Sequence, residues 1–420
     1  VTGTTGGTPA GTLLWEAVLS GGRWSPETRS ALHASGNPGN PAALDVHAPG
    51  IHVTGALAYD LARHAIRRAQ AMIPLGGGGL GWVAGMGGNN FNPPTDSNLA
   101  NTGMGVLLET VAAICETPEL SALTPPDAGN TLQSMVNSAA SALGIPAPTI
   151  TVTNEPRLQG EVRREFFVSK NGLRDALWSL RRAVREAREL IYIESPQFAH
   201  TGSTVDLVAE IIISLGANPN LKIIICTPRE SDFSQKYKGW SRQHYQARAQ
   251  AIGDLLAVAP DRVVAFHAPG FPGRTAYIRT TTVIVDDVWC FSGATHWRRR
   301  GFTFDGSVAI ASLDRQMENN GYSRQVRAYR RGLMAAKLAV TVPPPGSPTA
   351  EWIRLGHPAT AFELIKDWLS EGGLGRIQPL WSGPADTSIL PATQDMADPD
   401  GSDGSTFVTT FASLLAELGD

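Results

Sequence analysis

Residues 171–194 read NGLRDALWSLRRAVREARELIYIE, and two periods meet inside them. Leu173, Ala176, Leu177, Leu180, Ala183, Val184 and Ala187 recur at helical spacing, with arginines on the outer face. That spacing predicts an amphipathic helix over 172–188. LIYIE (190–194) follows at once and is apolar on both alternating faces, as a strand covered on both sides would be. The alternation then repeats: a helix over about 204–215, KIIIC (222–226), a helix over about 242–257, RVVAF (262–266), TTVIVDD (281–287) and a helix over about 319–338. Apolar strands alternating with helices predict an α/β fold, a mixed or mostly parallel sheet sandwiched by helices.

Outward from this block the pattern is looser. Upstream, Leu57, Leu61, Ala65, Ile66, Ala69, Met72 and Ile73 predict a helix that stops at Pro74, before the run Gly76–Gly79. Residues 76–103 read as a long Gly-, Asn- and Pro-rich loop. The Gly run lacks the Gly-Lys-Ser/Thr ending of a phosphate loop and the strand–helix frame that such a loop needs. Helices are expected over 105–121 and 131–143, and a strand over 148–153. Downstream, VPPPGSP (342–348) reads as a linker, followed by an amphipathic helix around 361–369 and a terminal helix over 407–418. The expected division is an irregular segment 1–44, a helical and loop region 45–154, the main lobe 155–340, and a linker with helical tail 341–420.

Composition narrows the function classes. The chain has 420 residues, a net charge of −3 and 42% hydrophobic residues, enough for a sizeable core. A near-neutral balance removes the electrostatic case for a nucleic-acid partner. No stretch of about 18 apolar residues exists to make a transmembrane segment. Val1 opens a stretch with neither a charged nor an apolar signal region, so no signal peptide is visible. The expectation is a soluble chain, either processed or part of something longer, in a compartment the sequence leaves open. Cys115, Cys226 and Cys290 are odd in number and far apart, which fits buried thiols rather than disulfides or a zinc site. DPDGSDG (398–404) departs from calcium-loop spacing and reads as a solvated turn. No Ser-His-Asp set, HExxH motif or carboxylate pair is recognisable, so no metal or cofactor is expected.

The chemistry concentrates in residues 277–315, YIRTTTVIVDDVWCFSGATHWRRRGFTFDGSVAIASLDR. Asp286 is polar where the buried strand was apolar, followed by a Gly-Ala-Thr-His-Trp turn and an arginine cluster. This stretch resembles the phospholipase D superfamily, in which a half-site reads His-x-Lys, four residues, Asp, then Gly-Ser-x-Asn and a downstream Arg. Asp286 falls on the Asp, Gly293 on the Gly, Ala294 on the Ser, His296 on the Asn, and Arg300 and Asp305 fit downstream. Arg279 stands at the His position and Thr281 at the Lys position. Ile191–Gln197 (IYIESPQ) resembles the family's aromatic-rich strand, and DVHAPGIHVTGALAYDLARHAIRRA (45–69) its segment between two motifs.

The resemblance implies a phospholipase D-like fold and, in intact relatives, phosphodiester hydrolysis or transfer through a phospho-histidine. Here the motif is degenerate. Arginine stays protonated and cannot be the nucleophile, so the chain is expected to be inactive alone. Arg279, Thr281, Asp286 and His296 hold the degenerate catalytic positions. Glu194, Gln197, His200, Gly293 and Arg300 are candidates for binding substrate. Arg279 either forks a phosphate or pairs with Asp286 or another carboxylate, and His200 and His267 stand near expected strand ends, where open α/β sheets bind ligands. The implied ligand is a phosphodiester or other phosphate-bearing group. A partner chain or upstream segment could supply a first His-x-Lys motif. The competing reading is a non-catalytic binding or assembly component on the same scaffold.

Overall fold

A computed structural model of the chain describes residues 16–19, 45–47, 51–54, 57–64, 103–111, 173–202, 205–228, 238–268, 276–303 and 306–380. Its strands are β1 (Glu16–Leu19), β2 (Asp45–His47), β3 (Ile51–Thr54), β4 (Gly103–Val111), β5 (Leu173–Arg174), β6 (Leu190–Glu194), β7 (Lys222–Cys226), β8 (Val263–His267), β9 (Ala276–Ile278), β10 (Thr281–Val285), β11 (Trp289–Gly293), β12 (Ser307–Asp314) and β13 (Gln378–Pro379). The helices are α1 (Asp175–Glu186), α2 (Leu207–Ala217), α3 (Lys238–Val258), α4 (Arg299–Thr303), α5 (Arg324–Lys337), α6 (Ala350–Arg354) and α7 (Pro358–Ser370). Residues 57–64 are also helical, matching the start of the expected helix there.

One nine-stranded sheet organises the molecule, in the order β13-β8-β7-β6-β10-β11-β12-β4-β5. Only β6, β7 and β8 run parallel, joined by the crossovers that carry α2 and α3. Every other neighbour is antiparallel, so the sheet is mixed rather than mostly parallel. The change of direction comes from tight chemistry at residues 285–288. Asp286 and Asp287 sit at φ +53° and +55°, and the Val288 N–H donates to the Val285 carbonyl at 3.0 Å. This is the primed hairpin turn whose twist suits antiparallel strands, and Asp tolerates its left-handed positions. The pairs β1–β3 and β2–β9 lie outside this sheet.

Alternation within the apolar strands divides them between two cores. Ile191, Ile193, Ile223, Ile225, Val283 and Phe291 face α1, α2 and α3. Leu190, Tyr192, Ile224, Phe266, Ile284 and Cys290 face α5 and α7. The sheet is thus sandwiched by helices, as its two-sided hydrophobicity requires. The outer arginines of α1 find work as well: Glu210 of α2, almost fully buried, accepts from Arg181 at 2.7 Å and from Arg185 at 2.6 and 3.0 Å.

One expectation changes. The helix over 105–121 is replaced, in its described part, by strand β4. Val106, Leu107, Leu108 and Val111 suit a helix face by spacing, but short apolar runs fit either period. Eight residue pairs with β12, from Gly103–Asp314 to Thr110–Ser307, settle it as a strand. The sheet also takes β4 from before residue 155 and β13 from after 340, so three of the four expected segments contribute to it. The expectations over 65–102, 131–153 and 381–420, together with Cys115, lie outside the described residues.

Candidate functional site

Strands β6, β7 and β8 end side by side, and antiparallel β10 begins next to them, so their ends form one polar row. Ser195, Thr227, His267 and Thr281 stand in it, all with 1% exposure or less. Thr281 Oγ1 and Ser195 Oγ lie 2.9 Å apart, and the Trp297 N–H donates to Ser195 Oγ at 3.2 Å. His267 Nδ1 lies 2.7 Å from the Thr227 carbonyl. A carbonyl only accepts, so the proton sits on Nδ1. The loop after β6 and the turn after β11 close together here: the Ala199 N–H donates to the Trp297 carbonyl at 3.0 Å, Phe198 stacks on Trp297 and Phe302 meets its edge. Gln197 Oε1, Thr227 Oγ1 and Trp297 Nε1 are buried without a hydrogen-bond partner among the described residues. Such atoms are uncommon in a folded core and mark a place where a polar guest would be welcome.

The structure gathers several of the expected residues here. Thr281 pairs across the ladder with Gly293. Gly293 is required by close approach, because a Cβ there would stand 2.4 Å from both Ala309 Cα and the Val308 carbonyl oxygen. His296, partly exposed, follows on the turn, and Arg300 lies in α4 directly after it. Gly301 lets α4 close on that turn, since a Cβ would meet the His296 carbonyl oxygen at 2.2 Å. Exposed Arg279 sits just before β10 at the same end.

Other residues go elsewhere. Asp286 lies at the opposite end of β10, roughly 16 Å from Thr281 at about 3.3 Å per residue. Its carboxylate accepts the backbone N–H groups of Arg188, Glu189 and Leu190, each at 2.8 Å. Burial pushes its pKa up, against the pull of those three donors. Asp286 therefore fastens the entry of β6, and the pairing with Arg279 does not form. Glu194 belongs to the other face of the sheet from Thr281. It is fully buried and held by Lys337 of α5 and the Tyr192 hydroxyl, so it lines no cleft shared with Ser195. His200 is bound at Nδ1 by Asp206, which caps α2, and at Nε2 by Asp254 of α3, 3.0 Å away. The Asp206 bond first, then Asp254, raises its pKa. It clamps two helices together rather than facing the strand ends.

Chemically, the row offers hydroxyls, an imidazole and, on the adjoining turn and helix, arginines. Thr281 Oγ1 has a hydroxyl partner rather than an imidazole or carboxylate, so no base among the described residues activates it as a nucleophile. Cys226 and Cys290 are buried on the α5 side; burial raises both thiols, Cys290 to about 12, which leaves them unreactive. No group of three His, Cys, Asp or Glu residues that could hold a metal occurs among the described residues. None of their helices is long and apolar enough to cross a membrane. Ser195, Thr227 and Trp297 carry the row yet were not singled out from sequence. Ser195 could have been found, because one step past Glu194 is the opposite face of the same strand.

No family model matches the sequence, and no curated protein matches it. Among solved structures the chain is similar over part of its length to NucT from Helicobacter pylori, at 21% identity over 39% of this chain and 89% of that one, TM-score 0.28. It is similar to a phospholipase D family member, Nuc from Salmonella typhimurium, at 12% identity over 39% and 87% of the two chains, TM-score 0.28. It is also similar to phosphatidylserine synthase from Haemophilus influenzae Rd KW20, at 10% identity over 48% of this chain and 44% of that one, TM-score 0.32.

Proposed function

We propose that this chain is a phospholipase D-like protein whose half-site holds a phosphate-bearing ligand at the ends of β6–β8 and β10 without cleaving it. The observation that carries this reading is the buried Thr281–Ser195 hydrogen bond. It occupies the place where the resemblance calls for a phosphate-binding Lys, and it leaves no activated nucleophile there. Arg279 stands at the His position, and a guanidinium does not serve as the nucleophile. Guanidinium groups nonetheless fork phosphate oxygens well, and Arg279 and Arg300 flank Thr281 and His296 in sequence. Gln197 Oε1 and Trp297 Nε1, without a partner among the described residues, supply an acceptor and a donor for the rest of such a ligand.

The test is an assay of the purified chain against bis-p-nitrophenyl phosphate and phosphatidylcholine, with calorimetry of inorganic phosphate binding alongside. The expected result is turnover no faster than buffer, together with phosphate binding that weakens in Arg300→Gln. Turnover that disappears in His296→Ala would overturn the non-cleaving reading. Phosphate binding absent from the wild type, or unaltered in Arg300→Gln, would overturn the ligand-holding one.

A further inference from the structure

A cavity of about 650 Å³ opens between the strap 343–348 and helices α5 and α6. Arg327, Arg331, Pro343, Pro344, Trp352 and His357 are among its walls. It lies along α5 from Arg327 to Arg331, whereas Lys337, at the C-terminal end of that helix, meets Glu194 on β6.

Arg331 is fixed in place before any ligand arrives. Its Nε and Nη2 both donate to the Trp352 carbonyl, at 3.1 and 2.5 Å. Its guanidinium carbon lies 3.7 Å from the centre of the Trp352 ring. A planar cation held by a carbonyl and an indole face has lost its conformational freedom already, so binding through it costs less entropy. Its charge lacks a carboxylate partner among the described residues. The neighbouring cations are compensated: Arg330 by Asp287, with both side chains fully buried, and Arg327 by Glu318. Burial, followed by repulsion from Arg327 and Arg330, lowers the Arg331 pKa. An anion would relieve both strains.

The apolar wall is equally preformed. The Ser347 N–H donates to the Pro344 carbonyl at 3.2 Å, and Gly346 sits at φ +85°. Pro345 and Gly346 thus make a type II turn that holds the strap rigid. His357 is engaged at both ring nitrogens, accepting the Ala359 N–H at Nδ1 and meeting the Tyr322 hydroxyl at Nε2.

We propose that this cavity binds a small organic anion, its carboxylate or phosphate group on the Arg331 guanidinium and its flat apolar body against Pro343, Pro344 and Trp352. This site is separate from the strand-end half-site, and its test separates the two.

The experiment is calorimetry on the full chain at low salt with 2-naphthoate, 2-naphthyl phosphate and neutral 2-naphthol. At least one anion should bind one to one and about tenfold more tightly than 2-naphthol, as a charge-assisted fork predicts. Arg331→Gln should weaken it about tenfold and Arg327→Gln a few-fold, whereas Arg300→Gln at the strand ends should leave binding of the carboxylate probe, 2-naphthoate, unchanged. The preferred headgroup identifies the anion class. If Arg331→Gln fails to fold, Arg327→Gln and the loss of affinity with added salt carry the same test. Anions that bind no better than 2-naphthol, or binding unaltered in both arginine variants, would overturn the proposal.

Discussion

Lys337 Nζ stands 2.8 Å from each carboxylate oxygen of Glu194, and neither side chain exposes any surface. The pair joins the last turn of α5 to the end of β6, and the Tyr192 hydroxyl donates to the same carboxylate. Breaking a buried pair from one side strands a charge, at a cost of about 3–5 kcal/mol. Lys337→Met should therefore lose stability on that scale in urea unfolding. The double variant Lys337→Met/Glu194→Gln, which keeps an acceptor for Tyr192, should recover more than half of it. A double variant as unstable as the single would show that the charge was not the issue.

Asp286 is expected to matter for folding and not for ligand. Asp286→Ala removes the acceptor of three backbone N–H groups at the start of β6, a loss of about 1–3 kcal/mol for unsatisfied donors. Phosphate binding at the strand ends, read by calorimetry below the melting temperature, should stay as in the wild type. Loss of binding in a variant shown to be folded would make Asp286 a contributor to the ligand site.

The His200 clamp sets a pH dependence whose sign is fixed. Folding raises the His200 pKa, so its stabilisation is complete below about pH 6.5, the ordinary imidazole value, and is lost as pH rises through the raised one. Burial pushes Asp206 up, but His200 and the Thr201 and Val208 N–H groups outweigh it and hold it low. Its share is complete above about pH 3.9 and is lost as pH falls further. Melting temperatures of the wild type should therefore fall from pH 6 to pH 8 by more than those of His200→Gln. Parallel profiles would rule the clamp out as the cause.

Gly293→Ala tests close approach in the ladder. Its Cβ would stand 2.4 Å from backbone atoms of β12, so strands must part. Overpacking of this kind costs about 1–3 kcal/mol. Calorimetric melting should show the drop, while a neutral substitution would mean that β11 and β12 have slack.

Much of this was legible in the sequence, for identifiable reasons. LIYIE, KIIIC and RVVAF are buried on both faces, and their continuous hydrophobicity announces it. β4 was hidden because GMGVLLETV becomes a strand only through pairing with β12, some 200 residues later. The motif register placed Thr281, Gly293, His296 and Arg300 at one end of the sheet. It could not assign faces, since an all-apolar strand offers no polar side to read. Glu194 and Ser195 are neighbours in the chain, yet one meets Lys337 and the other Thr281. A lysine 143 residues away leaves no local trace of that choice.

The same degeneracy gives the Asp286–Asp287 turn a consequence for β10. Its sequence, TTTVIV from Thr280 to Val285, would look almost unchanged to both cores after slipping by one residue, since threonine would replace threonine and valine would trade places with isoleucine. A slip of one turns every side chain to the opposite face. What distinguishes the correct alignment is the two aspartates, one seated on the N–H groups of 188–190 and the other on Arg330. They act as an index mark: the hydroxyl presented to Ser195 is chosen at the far end of the strand.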